Sequence, residues 1–318
     1  MEKRRLGNTG LSITALGYGA MELRHVDGSE AARLLNAVLD GGINYIDTSP
    51  DYGLSEAYIG QAIAHRRSEY YLATKCGCNI DPAGKGLEPP HIWSRQKLLE
   101  NIENSLRLLR TDYVDVWQLH GPEPGELPGG KSDEVIQTLM DLKRQGKVRY
   151  IGMSFRNGKS SEAWYPAEYA FNYSGEFMTW GVFDVMQMVY GGLTRRNENV
   201  ITRAAGQGIG LIIRGVVKKY RDNYDTLFDR ARLGELCEPG ESKSAFLVRF
   251  ALNHAGLSTM IIGTKNTDHL TANIQAASKG KLPDDVYREA QQRLDAVGIV
   301  APSLGGSHSS SRKAIQRP

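Results

Sequence analysis

Asp47, Tyr52, Lys75 and His120 are the residues whose types and spacing could do chemistry together. Asp47 ends the apolar run 43–47, whose β-branched residues favour a buried strand. Tyr52 follows within the turn-forming string Ser49-Pro50-Asp51-Tyr52-Gly53. Lys75 closes the run YYLATK, and His120 closes YVDVWQLH. If these strands are parallel neighbours, all four side chains meet at one mouth. The chemistry they suit is proton delivery to an oxygen on which negative charge develops, as when a carbonyl accepts hydride. A phenol can give that proton, although its free pKa is about 10. A nearby ammonium stabilises the phenolate and lowers that value. A carboxylate would keep the ammonium charged and in place. An imidazole could donate a hydrogen bond that orients the oxygen. Taken singly, each residue also has a plainer explanation: a turn-capping Asp, a Tyr packed on the rim, a structural Lys–Asp pair, a core His.

The mouth requires a parallel sheet, and the hydrophobic pattern supplies one. Residues 4–14, with Gly7-Asn8-Thr9-Gly10 between short apolar pieces, read as a hairpin. Strands are then expected at 15–21, 43–47, 70–75, 113–119, 148–153, 183–189, 210–213 and 259–262. Helices are expected at 29–40, from Ser55 as N-cap to 63, and at 94–109, 132–145, 161–171, 197–205, 242–253 and 268–277. One further helix spans 284–297. About eight strand–helix alternations imply a parallel sheet, and short, wholly apolar strands imply that both its faces are covered. The count favours a single (β/α)8 TIM barrel over an open doubly wound sheet, with an N-terminal β-hairpin and a C-terminal extra helix. The glycines at 206, 208 and 210 precede a strand, where a dinucleotide fingerprint would follow one, so they read as a turn. Residues 1–300 form the expected barrel domain, and the polar, glycine-containing tail 301–318 is expected to be disordered.

The strings DTSPDYGLSE, YLATK, ENIENSLRLLRTDYVDVWQLH and IIGTKNTDHLTANI resemble those of the aldo-keto reductase family. The resemblance implies a catalytic tetrad of Asp47, Tyr52, Lys75 and His120, with Tyr52 as general acid/base in NAD(P)H-dependent reduction of an aldehyde or ketone, or the reverse alcohol oxidation. It implies a hairpin plugging the bottom of the barrel. It also implies cofactor contacts from Gly19, Met21, Asp47, Ser154 and Gln187, and stacking of Tyr190 on the nicotinamide, while Arg214 and Gly215, which depart from the family, could approach the pyrophosphate by charge and by backbone N–H. Gly263, Thr264, Lys265, His269 and Asn273 match the segment that holds the adenosine end. Here Lys265 and His269 are the cationic groups, so NADPH is expected and NADH is possible. Phe155 stands where the family has an Asn after its Ser, with Asn157 two residues on as the replacement. Arg214, Gly215 and Lys218 occupy the place of a Pro-Leu pair found in many relatives. A second reading stays open: a nicotinamide-binding regulatory or partner-binding protein on the same fold, with little turnover.

Composition narrows the alternatives. The formal charge of +3 comes from 39 basic and 36 acidic residues without a dense basic run, which argues against nucleic-acid or membrane partners. No apolar run reaches membrane-spanning length and the start MEKRRLGNTG lacks an apolar signal region, so a cytoplasmic location is expected. Three cysteines, Cys76, Cys78 and Cys237, speak against a disulfide framework. Cys76 and Cys78 are too close for a typical zinc pair, and no second pair follows. A metal at His25, Asp47 and His120 would leave Lys75 unexplained, so no metal is expected. The partner is a small-molecule carbonyl or alcohol, and the oligomeric state is not legible. The substrate is set by loops above the strand ends, with Tyr18, Trp93 and Phe155 placed to line an apolar pocket.

Overall fold

The computed structural model describes residues 1–79, 91–122, 126–127, 133–155, 175, 177–217 and 224–301. The helix expected at 161–171, Asn157, Lys218 and the tail from 302 onward lie outside them. Strands β1 (Lys3–Arg5) and β2 (Ser12–Thr14) pair antiparallel around a turn at Gly7–Thr9. The next eight strands are β3 (Leu16–Gly19), β4 (Tyr45–Asp47), β5 (Tyr71–Cys76), β6 (Val114–His120), β7 (Val148–Ser154), β8 (Val185–Val189), β9 (Gly210–Arg214) and β10 (Thr259–Ile262). They run parallel, and β10 pairs with both β9 and β3, so the sheet closes into a (β/α)8 barrel rather than ending in open edges.

The described helices are α1 (Gly28–Asp40), α2 (Ser55–Ile63), α3 (Arg95–Leu109), α4 (Glu134–Arg144), α5 (Glu198–Gly206), α6 (Tyr224–Arg230), α7 (Lys243–Leu252), α8 (Thr267–Lys279) and the additional α9 (Asp284–Ala296). Their starts follow side-chain chemistry. Asp27 forms a capping box with Glu30 at α1, and Ser94, Ser242 and Asn266 accept amide hydrogen bonds at the starts of α3, α7 and α8. Ser55 differs from its expected role: the cap position falls on Leu54, and Ser55 is the first, buried residue of α2. Its hydroxyl donates to Ala20 O at 3.0 Å and pairs with the Thr48 hydroxyl at 2.8 Å. The site needs that tie between loops more than the helix needs a cap. The first barrel strand is also shorter than expected, because residues Ala20–His25 turn into a 3-10 helix. The segment between β9 and residue 240, where the sequence predicts no helix, contains α6.

Strand periodicity of two places the site. Tyr45, Ala73, Val116 and Val185 point inward, with Ile212 and Ile261, and pack on Leu6, Leu11 and Ile13 of the hairpin segment. The hairpin thus closes the bottom of the barrel with apolar side chains. The intervening residues, Ile46, Leu72, Trp117 and Met186, face the helices. Two residues further along the same strands come Asp47, Lys75, Gln118 and Gln187, all buried. They form a polar inward layer above the apolar one, at the C-terminal ends of the strands, where barrels of this type carry active sites.

Candidate active site

Asp47 is the hub. Its Oδ1 accepts from Lys75 Nζ at 2.6 Å. Its Oδ2 accepts from Gln118 Nε2 and Gln187 Nε2, each at 2.8 Å. Lys75 Nζ also donates to Thr48 O at 2.8 Å and lies 4.8 Å from the ring centroid of Tyr52. The His120 ring meets Tyr52 edge-on, with centroids 6.2 Å apart. The structure therefore brings all four expected catalytic residues together. Removal from water works against the charge on Lys75, but Asp47 overrides it and raises the ammonium pKa above its ordinary value. Removal from water also pushes the Tyr52 phenol up to about 12; Lys75 pulls the other way and does not win. Tyr52 is therefore a neutral phenol near pH 7, a proton donor in its resting form. Burial lowers the His120 pKa to about 4, so its imidazole is neutral there too.

A cleft of about 640 Å³ opens over this layer. Gly19, Met21, Asp47, Tyr52, His120, Ser154, Gln187, Arg214, Gly215 and Gly263 line it. Ser154 donates from Oγ to Gln187 Oε1 at 3.0 Å, which turns the Gln187 amide nitrogen toward Asp47. Arg214 Nη2 donates to Phe155 O at 2.8 Å and thereby holds the cleft wall where the family's Asn is replaced. Lys265 and His269 are exposed at the start of α8, and Asn273 is half-buried one turn on. Thr264 is buried, and its hydroxyl accepts from Asn266 N.

Trp93, Thr264, Lys265, His269 and Asn273 are not among the residues that line the cleft, and two further expected residues are turned into the packing. Tyr190 is fully buried, with its ring edge-on to His254 at 5.2 Å between centroids, so neither ring face is open to a nicotinamide. It follows the last residue of β8, past the point where inward alternation governs direction. Tyr18 is likewise fully buried, and its hydroxyl donates to Thr264 O at 2.8 Å rather than facing a pocket. Phe155 does line the cleft. His25 is exposed beside Arg24 and is not among the residues gathered around His120.

Sequence reasoning overlooked several groups. Gln118 reaches Asp47 from two residues before His120 on the same strand face, a signal that period two could have given. Asp51 and His91 gather around His120, together with Cys78, which the sequence offers only as half of a rejected zinc pair with Cys76. Asp51 and Cys78 sit close in sequence to Tyr52 and Lys75, whereas nothing local marks His91.

A closed parallel barrel with a charged, solvent-reachable constellation at the C-terminal ends of its strands defines a barrel enzyme. Residues 15–295 match the model of the Aldo/keto reductase family, and the chain belongs to that family. It is similar to the uncharacterized oxidoreductase YqkF of Bacillus subtilis (strain 168), with 28% identity over 315 residues covering 92% of this chain and 96% of that one. It is 39% identical to L-galactose dehydrogenase of Arabidopsis thaliana over 163 residues, 48% of each chain. Among solved structures, the holo form of aldo-keto reductase AKR11C1 from Bacillus halodurans superposes with a TM-score of 0.77 at 28% identity, covering 92% of this chain and 96% of that chain. The protein is an NAD(P)H-dependent oxidoreductase of the carbonyl-reducing class. Among the described residues, no helix is long and apolar enough to cross a membrane.

Proposed function

We propose that the protein reduces the carbonyl of a small polar aldehyde or ketone with NADPH, using Tyr52 as the general acid. The contact that carries this reading is the buried Lys75–Asp47 pair at 2.6 Å beneath the ring of Tyr52, at the floor of the cleft. The residues fit a nicotinamide dinucleotide. Gly19 and Gly263 give the cleft a bare backbone wall, and a Cβ on Gly263 would lie 2.6 Å from Gly19 O, so no side chain narrows that side. Ser154 and Gln187 offer amide and hydroxyl partners at the buried end, and Arg214 with Gly215 offers positive charge and a backbone N–H farther out. Lys265 and His269, at the positive end of α8, support NADPH over NADH.

When bound, the reduced nicotinamide supplies a hydride to the carbonyl carbon. Tyr52 gives its phenolic proton to the carbonyl oxygen as charge develops there. Lys75 stabilises the phenolate left behind, and Asp47 keeps Lys75 charged and aimed. Gln118 and Gln187 fix the carboxylate that does the aiming. His120 orients the substrate oxygen by hydrogen bonding. The similarity to L-galactose dehydrogenase, together with Glu22 and Arg24 on the cleft wall, supports a polyhydroxylated carbonyl compound as substrate class.

The test is nicotinamide absorbance during turnover of aromatic and sugar-derived aldehydes, with NADPH and NADH side by side. Wild type is expected to consume NADPH faster than NADH. Tyr52→Phe is expected to lose about 10²–10⁴-fold in kcat, the usual worth of a positioned general acid. Equal rates in wild type and Tyr52→Phe would refute the role given to Tyr52.

A further inference from the structure

Three ligand-type atoms crowd one ring nitrogen beside the cleft. Around His120 Nδ1 stand Cys78 Sγ at 3.1 Å, His91 Nε2 at 3.2 Å and Asp51 Oδ2 at 3.3 Å. Asp51 Oδ2 lies 3.7 Å from His91 Nε2, and all four atoms fall within 4.8 Å of one another. An imidazole nitrogen has one proton or one lone pair, so it satisfies one such neighbour and not three. A tetrahedral cation explains the crowding better. Zinc bonds of about 2.0–2.3 Å place adjacent ligand atoms about 3.3–3.6 Å apart. Four of the six separations, 3.1–3.7 Å, straddle that range, and the other two, from Cys78 Sγ to Asp51 and to His91, lie within 4.8 Å.

We infer that Asp51, Cys78, His91 and His120 form a four-ligand zinc(II) site next to the reductase cleft. One thiolate, two imidazoles and one carboxylate are a ligand set suited to zinc. The surrounding structure fixes each ligand. Asn101 of α3 accepts from Gly77 N at 2.9 Å and donates to Cys78 O at 3.0 Å, clamping the cysteine from both sides. Ile92 N donates to Gly77 O at 2.8 Å, and the His91 ring stacks on Trp93 with centroids 5.8 Å apart. Gly77 has φ +82°, and a Cβ there would lie 2.3 Å from the Trp93 ring, so glycine lets this packing form. Ser49 Oγ, 3.4 Å from both Cys78 Sγ and His120 Nδ1, supplies a hydroxyl just outside the ligand shell.

The charges balance. Cys78 loses its thiol proton to solvent on coordination, so thiolate and Asp51 carboxylate together neutralise a divalent ion, and Lys75 meets no net positive charge. Asp47 stays with Lys75 and takes no part. Four protein ligands close the shell, so the ion does not take up substrate directly. Its effect on the cleft runs through His120. Coordination at Nδ1 leaves the ring proton on Nε2, the tautomer that can donate to a substrate oxygen. This consequence rests on the reductase reading; the metal site itself does not.

The experiment uses the full chain, stripped with a chelator and titrated with zinc chloride against a chromophoric competitor, with metal content measured by mass spectrometry. Wild type is expected to hold about one zinc per chain. Cys78→Ser and, separately, His91→Ala are expected to weaken binding by more than the ~10–100-fold that an outer-shell loss costs. Cobalt(II) added to stripped protein is expected to give a thiolate charge-transfer band that Cys78→Ser lacks and circular dichroism to show both variants folded. Wild type binding zinc no more tightly than either variant, or a cobalt spectrum without the thiolate band, overturns the site and leaves a hydrogen-bonded cluster only. Carbonyl reduction by zinc-free protein that cannot bind zinc sinks the metal and spares the reductase; tight zinc binding without turnover does the reverse.

Discussion

Lys75→Met separates the structural from the chemical role of the buried ion pair. The substitution keeps most of the side-chain volume and removes the ammonium. Asp47 is 1% exposed, so its carboxylate then stays buried without its charged partner. Breaking a buried pair from one side costs about 3–5 kcal/mol. Two amide donors remain on Oδ2 at 2.8 Å, from Gln118 and Gln187, which places the loss at the lower end, about 3 kcal/mol. Neutralising the orphan by Asp47→Asn in the same chain is expected to return about 2 kcal/mol, because removing both charges spares the desolvation that the pair otherwise offsets. The assay is urea unfolding followed by tryptophan fluorescence and circular dichroism, comparing midpoints at unchanged slope. Carbonyl reduction is expected to stay absent in both variants, so the double variant is folded and inactive. A loss under about 1 kcal/mol for Lys75→Met, or a double variant no more stable than the single one, would refute the picture of Asp47 as a buried charge held by Lys75.

Two further outcomes follow from groups outside the proton-transfer set. Glu56 is 2% exposed, accepts from Thr74 Oγ1 at 2.6 Å, and burial raises its pKa from 4.5 to about 7. A carboxyl whose folded pKa lies above its unfolded one favours folding most below the unfolded value, and that advantage is lost as pH rises to the folded value. Stability is therefore expected to fall between pH 4.5 and about 7 by about 3 kcal/mol through this group, and Glu56→Gln is expected to abolish the fall, as read from unfolding midpoints across that window. Gly60→Ala in α2 would put a Cβ 2.0 Å from Leu108 O and 2.8 Å from Leu109 C, backbone atoms that cannot step aside. The gain in helix propensity of about 1 kcal/mol is smaller than the overpacking cost, so a net loss of about 1–3 kcal/mol is expected in urea unfolding, and a stabilised variant would contradict the α2–α3 contact.

The chain's pattern determined the barrel because both its ingredients are local. Strand runs such as those ending at Lys75 and His120, and helices bounded by Ser94 and Ser242, carry their own period and caps, and eight alternations leave few topologies. The same period also placed Asp47, Lys75 and His120 at strand ends, so their meeting needed only that the strands run parallel. Side-chain direction beyond a strand's last residue is not local, and there the tertiary structure decided. Tyr190 turned into the packing against His254, because neighbouring helices and loops, not strand period, set that rotamer; Tyr18, inside β3, faces away from the cleft by the same alternation that puts Gly19 on its wall. Ser55 was drawn from its cap position by Ala20 and Thr48. The pKa of Tyr52 was beyond reach for the same reason: Lys75 is visible in sequence as a cation that lowers it, but the burial that outweighs Lys75 exists only once the barrel has closed. The cluster at His120 is the extreme case. Asp51, Cys78, His91 and His120 are spread over 70 positions with no recognised ligand spacing, and only the closed barrel, with Asn101 and Gly77 holding one loop, brings their ligand atoms within 4.8 Å.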